Sequence, residues 1–80
     1  MAEVGLTPEE INICVGQRVR ALRHERGLTL KQLGDGVGLR PQQIQKYEVA
    51  KNSMTVSRLV EFAKFLQVCP GALLSELKDK

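Results

Sequence analysis

The chain has no tryptophan, one tyrosine, two phenylalanines, one histidine and two cysteines among its 80 residues. Each scarcity closes off a class of chemistry. Tyr47, Phe62 and Phe65 are the only aromatics, and all three are expected to face inward, which leaves no stacking platform for single-stranded nucleic acid. His24 sits between Arg23 and Glu25 with no visible partner to make it a base, a nucleophile or a metal ligand. Cys14 and Cys69 are far apart and lie in no CxxC or Cys/His cluster, so they read as free thiols rather than a zinc site or a redox pair. No paired carboxylates or activated nucleophile can be assembled. An enzyme is therefore not expected, nor is a cofactor.

Long apolar runs are missing too. No stretch of signal-peptide length follows Met1, and nothing approaches the roughly 18 consecutive apolar residues that span a bilayer, so a soluble cytoplasmic protein is expected. A chain of this size forms one small domain, residues 1–80 with a core at about 8–78, and hides only about 60% of the surface its unfolded form exposes.

Charge is what the sequence does have, and it is unevenly placed. Between Gly16 and Arg58 there are nine basic residues against three acidic ones, whereas the flanks carry three basic and six acidic residues. That is the distribution of a polyanion-binding centre with neutralised flanks, the plainer alternative being a solvated charged face.

Helix signals are strong throughout. Thr7-Pro8-Glu9-Glu10 combines a capping residue, a proline suited to the first helical position and the glutamate of a capping box. Ile11, Val15, Val19 and Leu22 then form one apolar stripe to about Glu25, and Gly27 ends the helix in the left-handed conformation. Thr29 caps a second helix, Leu30 to Val37, burying Leu33 and Val37 despite Gly34 and Gly36, each of which costs about 1 kcal/mol against alanine. Gly38 stops it, and Pro41 opens a third helix to about Val49. Thr55 caps a fourth, with Val56, Leu59, Phe62, Ala63 and Leu66 inward, and Pro70 opens a short last one with Leu73, Leu74 and Leu77 on one side. The expected fold is all-α, a compact bundle of five helices without strands.

Gly34, Gly38 and Ile44 together fit two helices crossing on a tight turn. Gly34 permits close approach, Gly38 supplies a positive φ, and Ile44 plugs the crossing, while Leu33, Val37, Leu39 and Tyr47 agree as flanking apolar positions. The stretch VGQRVRALRHERGLTLKQLGDGVGLRPQQIQKYEVAKNSMTVSRLVEFAKFLQV resembles the helix-turn-helix domain of the XRE, or lambda repressor and Cro-like, transcriptional regulators. The likeness runs from about Val15 to Leu74, and QQIQKYE with the later SRL is especially similar to a subgroup common in alphaproteobacterial regulators. It implies a bundle of four or five helices whose third helix lies in the DNA major groove, as a homodimer on a palindromic operator.

The glutamine-rich segment LRPQQIQKYE gains a meaning in that light. With Ile44 inward, about 100° per residue puts Gln42 and Lys46 on the opposite face, flanked by Gln45. A glutamine amide matches N6 and N7 of adenine, and lysine or arginine matches O6 and N7 of guanine. Gln42 and Lys46 are the expected base readers. Gln43 points sideways, towards backbone or base, and Arg40 could serve either; Pro41 offers only an apolar contact. Backbone contacts are assigned to Lys51, Asn52 and Ser53 and to the start of the second helix at Thr29 and Lys31. By the resemblance, Arg23 pairs with Glu48 to orient the reading helix. Two positions depart from the pattern: Leu30 stands where many relatives carry a phosphate-gripping glutamine, and Ala50 replaces a glycine. Phe65, Leu73, Leu74 and Leu77 are candidates for the dimer contact, each of which could instead close the core. Two other readings stay open, an antitoxin that also grips a toxin and a protein-interaction module of the same fold.

Overall fold

The computed structural model describes residues 6–75 and residue 77. Four α-helices follow one another, α1 (Pro8–Glu25), α2 (Leu30–Val37), α3 (Pro41–Glu48) and α4 (Val56–Leu66), and a single 3₁₀ segment, Pro70–Leu74, closes the order. No strand occurs among the described residues. The expected fifth helix is thus one short 3₁₀ segment, with Leu77 beyond it. Five residues opened by a proline and containing Gly71 cannot complete a stable α-helical repeat of hydrogen bonds. The outer limits assigned to the domain, residues 1–5 and 78–80, lie outside the described residues.

Helix starts are set by side chains reaching back to the backbone. Thr7 and Glu10 exchange hydrogen bonds of 3.1 and 2.9 Å with each other's backbone N–H groups, and Thr29 and Gln32 repeat the arrangement at 3.0 and 2.9 Å. Thr55 accepts the N–H of Arg58 at 3.1 Å to start α4. Such caps satisfy donors that have no partner within the helix and stabilise each start by about 1 kcal/mol.

Helix ends share one closure. Leu28, Leu39, Lys51 and Val68 each donate an N–H to the carbonyl five residues back, those of Arg23, Gly34, Lys46 and Ala63, at 2.7 to 3.0 Å. The closure requires a left-handed residue just before each donor. Gly27 (φ 65°) and Gly38 (φ 77°) supply it cheaply, but Ala50 (φ 65°) and Gln67 (φ 61°) supply it with a Cβ in the way. The usual turn after α3 therefore survives the missing glycine, held by the surrounding bonds.

The core is built from Val15, Val19 and Leu22 of α1, Leu33 of α2, Ile44 of α3 and Leu59, Phe62, Ala63 and Leu66 of α4, with Leu73 closing one end. Three expectations need correction. Val56 is 80% exposed, because it is the first residue of α4 and the inward stripe begins only at Leu59. Phe65 is 39% exposed rather than inward, its ring lying across Gly36 of α2. Val37 is half-buried against the core rather than sealed within it.

Glycine is indispensable where backbones touch. A Cβ on Gly16 would lie 2.7 Å from the Glu48 carbonyl oxygen and nearer still to that of Tyr47, so α1 and α3 cross with nothing between them. Gly34 faces the Leu39 carbonyl in the same way, which holds the turn between α2 and α3 tight. Two opposite substitutions follow. Gly16→Ala forces two backbones apart and should cost about 1–3 kcal/mol in urea unfolding. Ala50→Gly should add about 1 kcal/mol by relieving the left-handed strain, with the midpoint rising and the slope unchanged.

Candidate nucleic-acid interface

α3 presents two unlike faces. Ile44 is fully buried and Glu48 nearly so, while Tyr47 is half-buried, its ring edge-on to Phe62 with centroids 5.7 Å apart. On the other side Gln42, Gln45 and Lys46 are all exposed, and none of their side chains is hydrogen-bonded to or paired with another described residue. A face of free amides and one ammonium is open to solvent with no acid beside it on the helix.

Gln43 differs from its neighbours. Its side-chain oxygen accepts the Arg40 N–H at 2.9 Å, which caps the start of α3 much as Gln32 caps α2. One of the three clustered amides is thus already used within the fold. The spacing three residues on from the residue before the helix could have revealed this.

The rigidity of this rod comes from behind it. Arg23 Nε donates to Glu48 Oε2 at 2.7 Å and Nη2 to Oε1 at 3.1 Å, a two-pronged pair whose side chains are 10% and 3% exposed. Arg23 Nη1 also donates to the Leu28 carbonyl at 2.8 Å. One guanidinium therefore joins α1, the turn after it and the last residue of α3. The bidentate fit and the third bond compensate two charges drawn out of water.

Around α3 the other assigned residues fall on the surface. Arg40, Lys51 and Ser53 are exposed and Asn52 is half-buried. Lys51 and Asn52 donate their N–H groups to the Lys46 carbonyl, at 2.7 and 3.2 Å, so the loop starts tied to the helix it follows. Thr29 spends its hydroxyl on the Gln32 N–H, and Lys31 pairs with Asp35 at 2.9 Å. That hydrogen bond, and then the charge of Asp35, raise the Lys31 pKa and keep it an ammonium. An exposed pair of this kind contributes little and can be exchanged for another anion.

Sequence reasoning missed three contributors. Arg58 lies with its guanidinium 6.0 Å from the Tyr47 ring centroid and 2.6 Å from Glu61, and these neighbours raise its pKa, Tyr47 first, against some desolvation. Asn12 accepts the Met54 N–H, and Gly16 sets the α1–α3 crossing. Arg58 and Gly16 carry no periodic signal that separates them from a surface cation and a neutral helix position. Of the dimer candidates, Leu73 is 1% exposed and belongs to the core, so it cannot meet a second copy. Leu74 is 40% exposed and Leu77 half-buried. Leu74 also borders an apolar groove with Ile11, Met54, Val56 and Leu59.

Among the described residues no helix is long and apolar enough to cross a membrane. The two-helix unit around Gly38 and the open face of α3 define a helix-turn-helix protein. A family model described as Helix-turn-helix matches residues 19–73, and the chain belongs to that family, the XRE-like transcriptional regulators. It is 40% identical over 68 residues to an HTH-type transcriptional regulator of Sinorhizobium medicae, covering 85% of this chain and 49% of that one. The chain spans about half the length of the curated relatives it matches first. Among solved structures it is similar to the DNA-binding domain of BldD (TM-score 0.77, 28% identity, 85% of this chain and 99% of that one). It is also similar to the P22 c2 repressor in complex with a synthetic operator (TM-score 0.69, 30% identity, 75% of this chain and 91% of that one).

The Arg23–Glu48 pair gives a direct test of what holds α3. Glu48→Ala leaves a buried guanidinium without its carboxylate and should lower stability by about 3–5 kcal/mol in urea unfolding. A loss under about 1 kcal/mol would mean that the pair is solvated in solution.

Proposed function

We propose that this chain binds double-stranded DNA in a sequence-specific manner, placing α3 in the major groove, as a dimer on a palindromic operator, and represses transcription there. The observation that carries the reading is the uncommitted face of α3: Gln42, Gln45 and Lys46 are exposed and have no partner among the described residues, opposite a fully buried Ile44. Planar amides and an ammonium fixed on a braced rod suit the donor and acceptor pattern of base edges in the major groove. Family membership and the likeness to an operator-bound repressor support it.

Roles divide by what each side chain is free to do. Gln42 and Lys46 read bases, with Gln45 beside them and Arg40 at the near end of the helix. Gln43, whose amide oxygen serves the cap, holds the helix start and keeps its Nε2 donors for a neighbouring phosphate or base edge. Lys51, Asn52 and Ser53, with Thr29 and Lys31 at the start of α2, take the phosphate backbone, which positions the protein without reading sequence. One such unit covers one half-site, so two copies are needed, with their α3 helices about one DNA turn apart. Of the candidates for that contact, Phe65, Leu74 and Leu77 remain.

Selection of bound sites from random duplex DNA should return an inverted repeat with half-site centres about 34–36 Å apart. On the selected duplex, Gln42→Ala and Lys46→Ala should each lose about 1–3 kcal/mol and relax discrimination at one base pair per half-site. An equal loss on every sequence would reassign the residue to a phosphate, and recovery of no preferred sequence would overturn the reading.

A further inference from the structure

The loop between α3 and α4 carries Lys51, Asn52 and Ser53, and it is anchored at both ends. At its start, the Lys51 and Asn52 N–H groups share the Lys46 carbonyl, and Ala50 is held left-handed at φ 65°. At its far end, Asn12 of α1 accepts the Met54 N–H through Oδ1 at 2.7 Å, across 42 positions of sequence. The Asn12 amide is itself oriented, because Nδ2 donates to the Pro8 carbonyl at 3.0 Å. Pro8 in turn lies in the helix start fixed by the Thr7–Glu10 box. Both the Asn12 and Met54 side chains are half-buried, so the bond is sheltered from water, and Met54 packs against the core.

We propose that Asn12 is a positioning residue for DNA binding: it fixes the far end of this loop, and so the place of Lys51, Asn52 and Ser53, although it touches no DNA itself. The proposal rests on the assignment of that loop to the phosphate backbone. Three residues between two anchors have little freedom. Without the Asn12 acceptor, the Met54 N–H loses its partner, and the far end of the loop is held only by the packing of the Met54 side chain. Loop cations would then have to be ordered at the moment of binding, at the expense of affinity on every sequence alike.

The test uses the whole chain, a duplex of selected sequence and mixed-sequence duplex DNA, at a temperature where every variant is fully folded by circular dichroism. Asn12→Ala should bind both duplexes about threefold to tenfold more weakly. Its preference for the selected duplex should be unchanged, and its salt dependence shallower by about one phosphate contact. Exchange of the Met54 amide with solvent should speed up. In combination with Lys51→Ala the two losses should fall short of additive, because one residue acts through the loop that carries the other; a merely structural Asn12 would give additive losses. Asn12→Asp keeps the acceptor and should leave the Met54 amide protected, with binding closer to wild type than that of Asn12→Ala. Wild-type binding with an Asn12→Ala variant of equal affinity and equal salt slope overturns the inference alone. A wild-type chain that binds neither duplex overturns it together with the proposed function.

Discussion

The fold depends most on one guanidinium. Arg23 gives two bonds to the Glu48 carboxylate and a third to the Leu28 carbonyl, so the last turn of α1, the turn after it and the end of α3 are registered against one another. Apolar packing alone tolerates small slides and rotations, because its energy varies slowly with position. A two-pronged ion pair in a dry setting does not. Its net contribution to stability is offset by desolvation, yet its two-pronged geometry restricts how the end of α3 sits against α1. Gly16 completes the arrangement, since the same two residues whose carbonyls its hydrogen faces, Tyr47 and Glu48, are the last of α3.

A second constraint is length. With α2 and α3 each eight residues long, neither helix would be stable in isolation, because helices below about 12–15 residues do not repay their nucleation in water. Both are therefore held from outside: caps at Thr29 and Gln43, closure on Gly38, and a buried stripe of Leu33 and Ile44. Each end of α3 is tied to something else, and the open face in between is left free of internal duties. Gly34 and Gly36 follow from the same demand. Their lost helix propensity makes room for the Leu39 carbonyl and the Phe65 ring.

Much of this was legible in the sequence, because caps, terminal glycines and apolar stripes act locally. The limits of α2 fell where Thr29 and Gly38 put them, and Thr7 and Pro8 set the start of α1. The outward face of α3 was equally clear from Ile44 and a step of 100° per residue. What escaped depends on contacts distant along the chain. Asn12 reaches Met54 only after α1 and α4 have packed, and nothing near Asn12 signals it. Periodicity extended the α4 stripe one turn too early, to Val56, because it cannot tell where packing against a neighbour begins. Periodicity likewise left Leu73 open between a dimer contact and the core, and the 3₁₀ segment turns it into the core.

The three glutamines of α3 show why residue type alone is a poor guide to role. Gln42, Gln43 and Gln45 carry the same amide within four positions, yet one closes the helix start and two stay unbonded. The difference is position relative to Arg40, whose N–H needs an acceptor three residues on, and relative to Ile44, which decides what faces water. An amide whose oxygen already serves a cap is held in one orientation and keeps mainly its Nε2 donors for an outside partner, whereas a free amide can turn either end outward. The side chains that the fold leaves uncommitted on this face are therefore those of Gln42, Gln45 and Lys46. Gln43, Arg23 and Glu48 already serve the fold, and the shape they hold is what presents that open face.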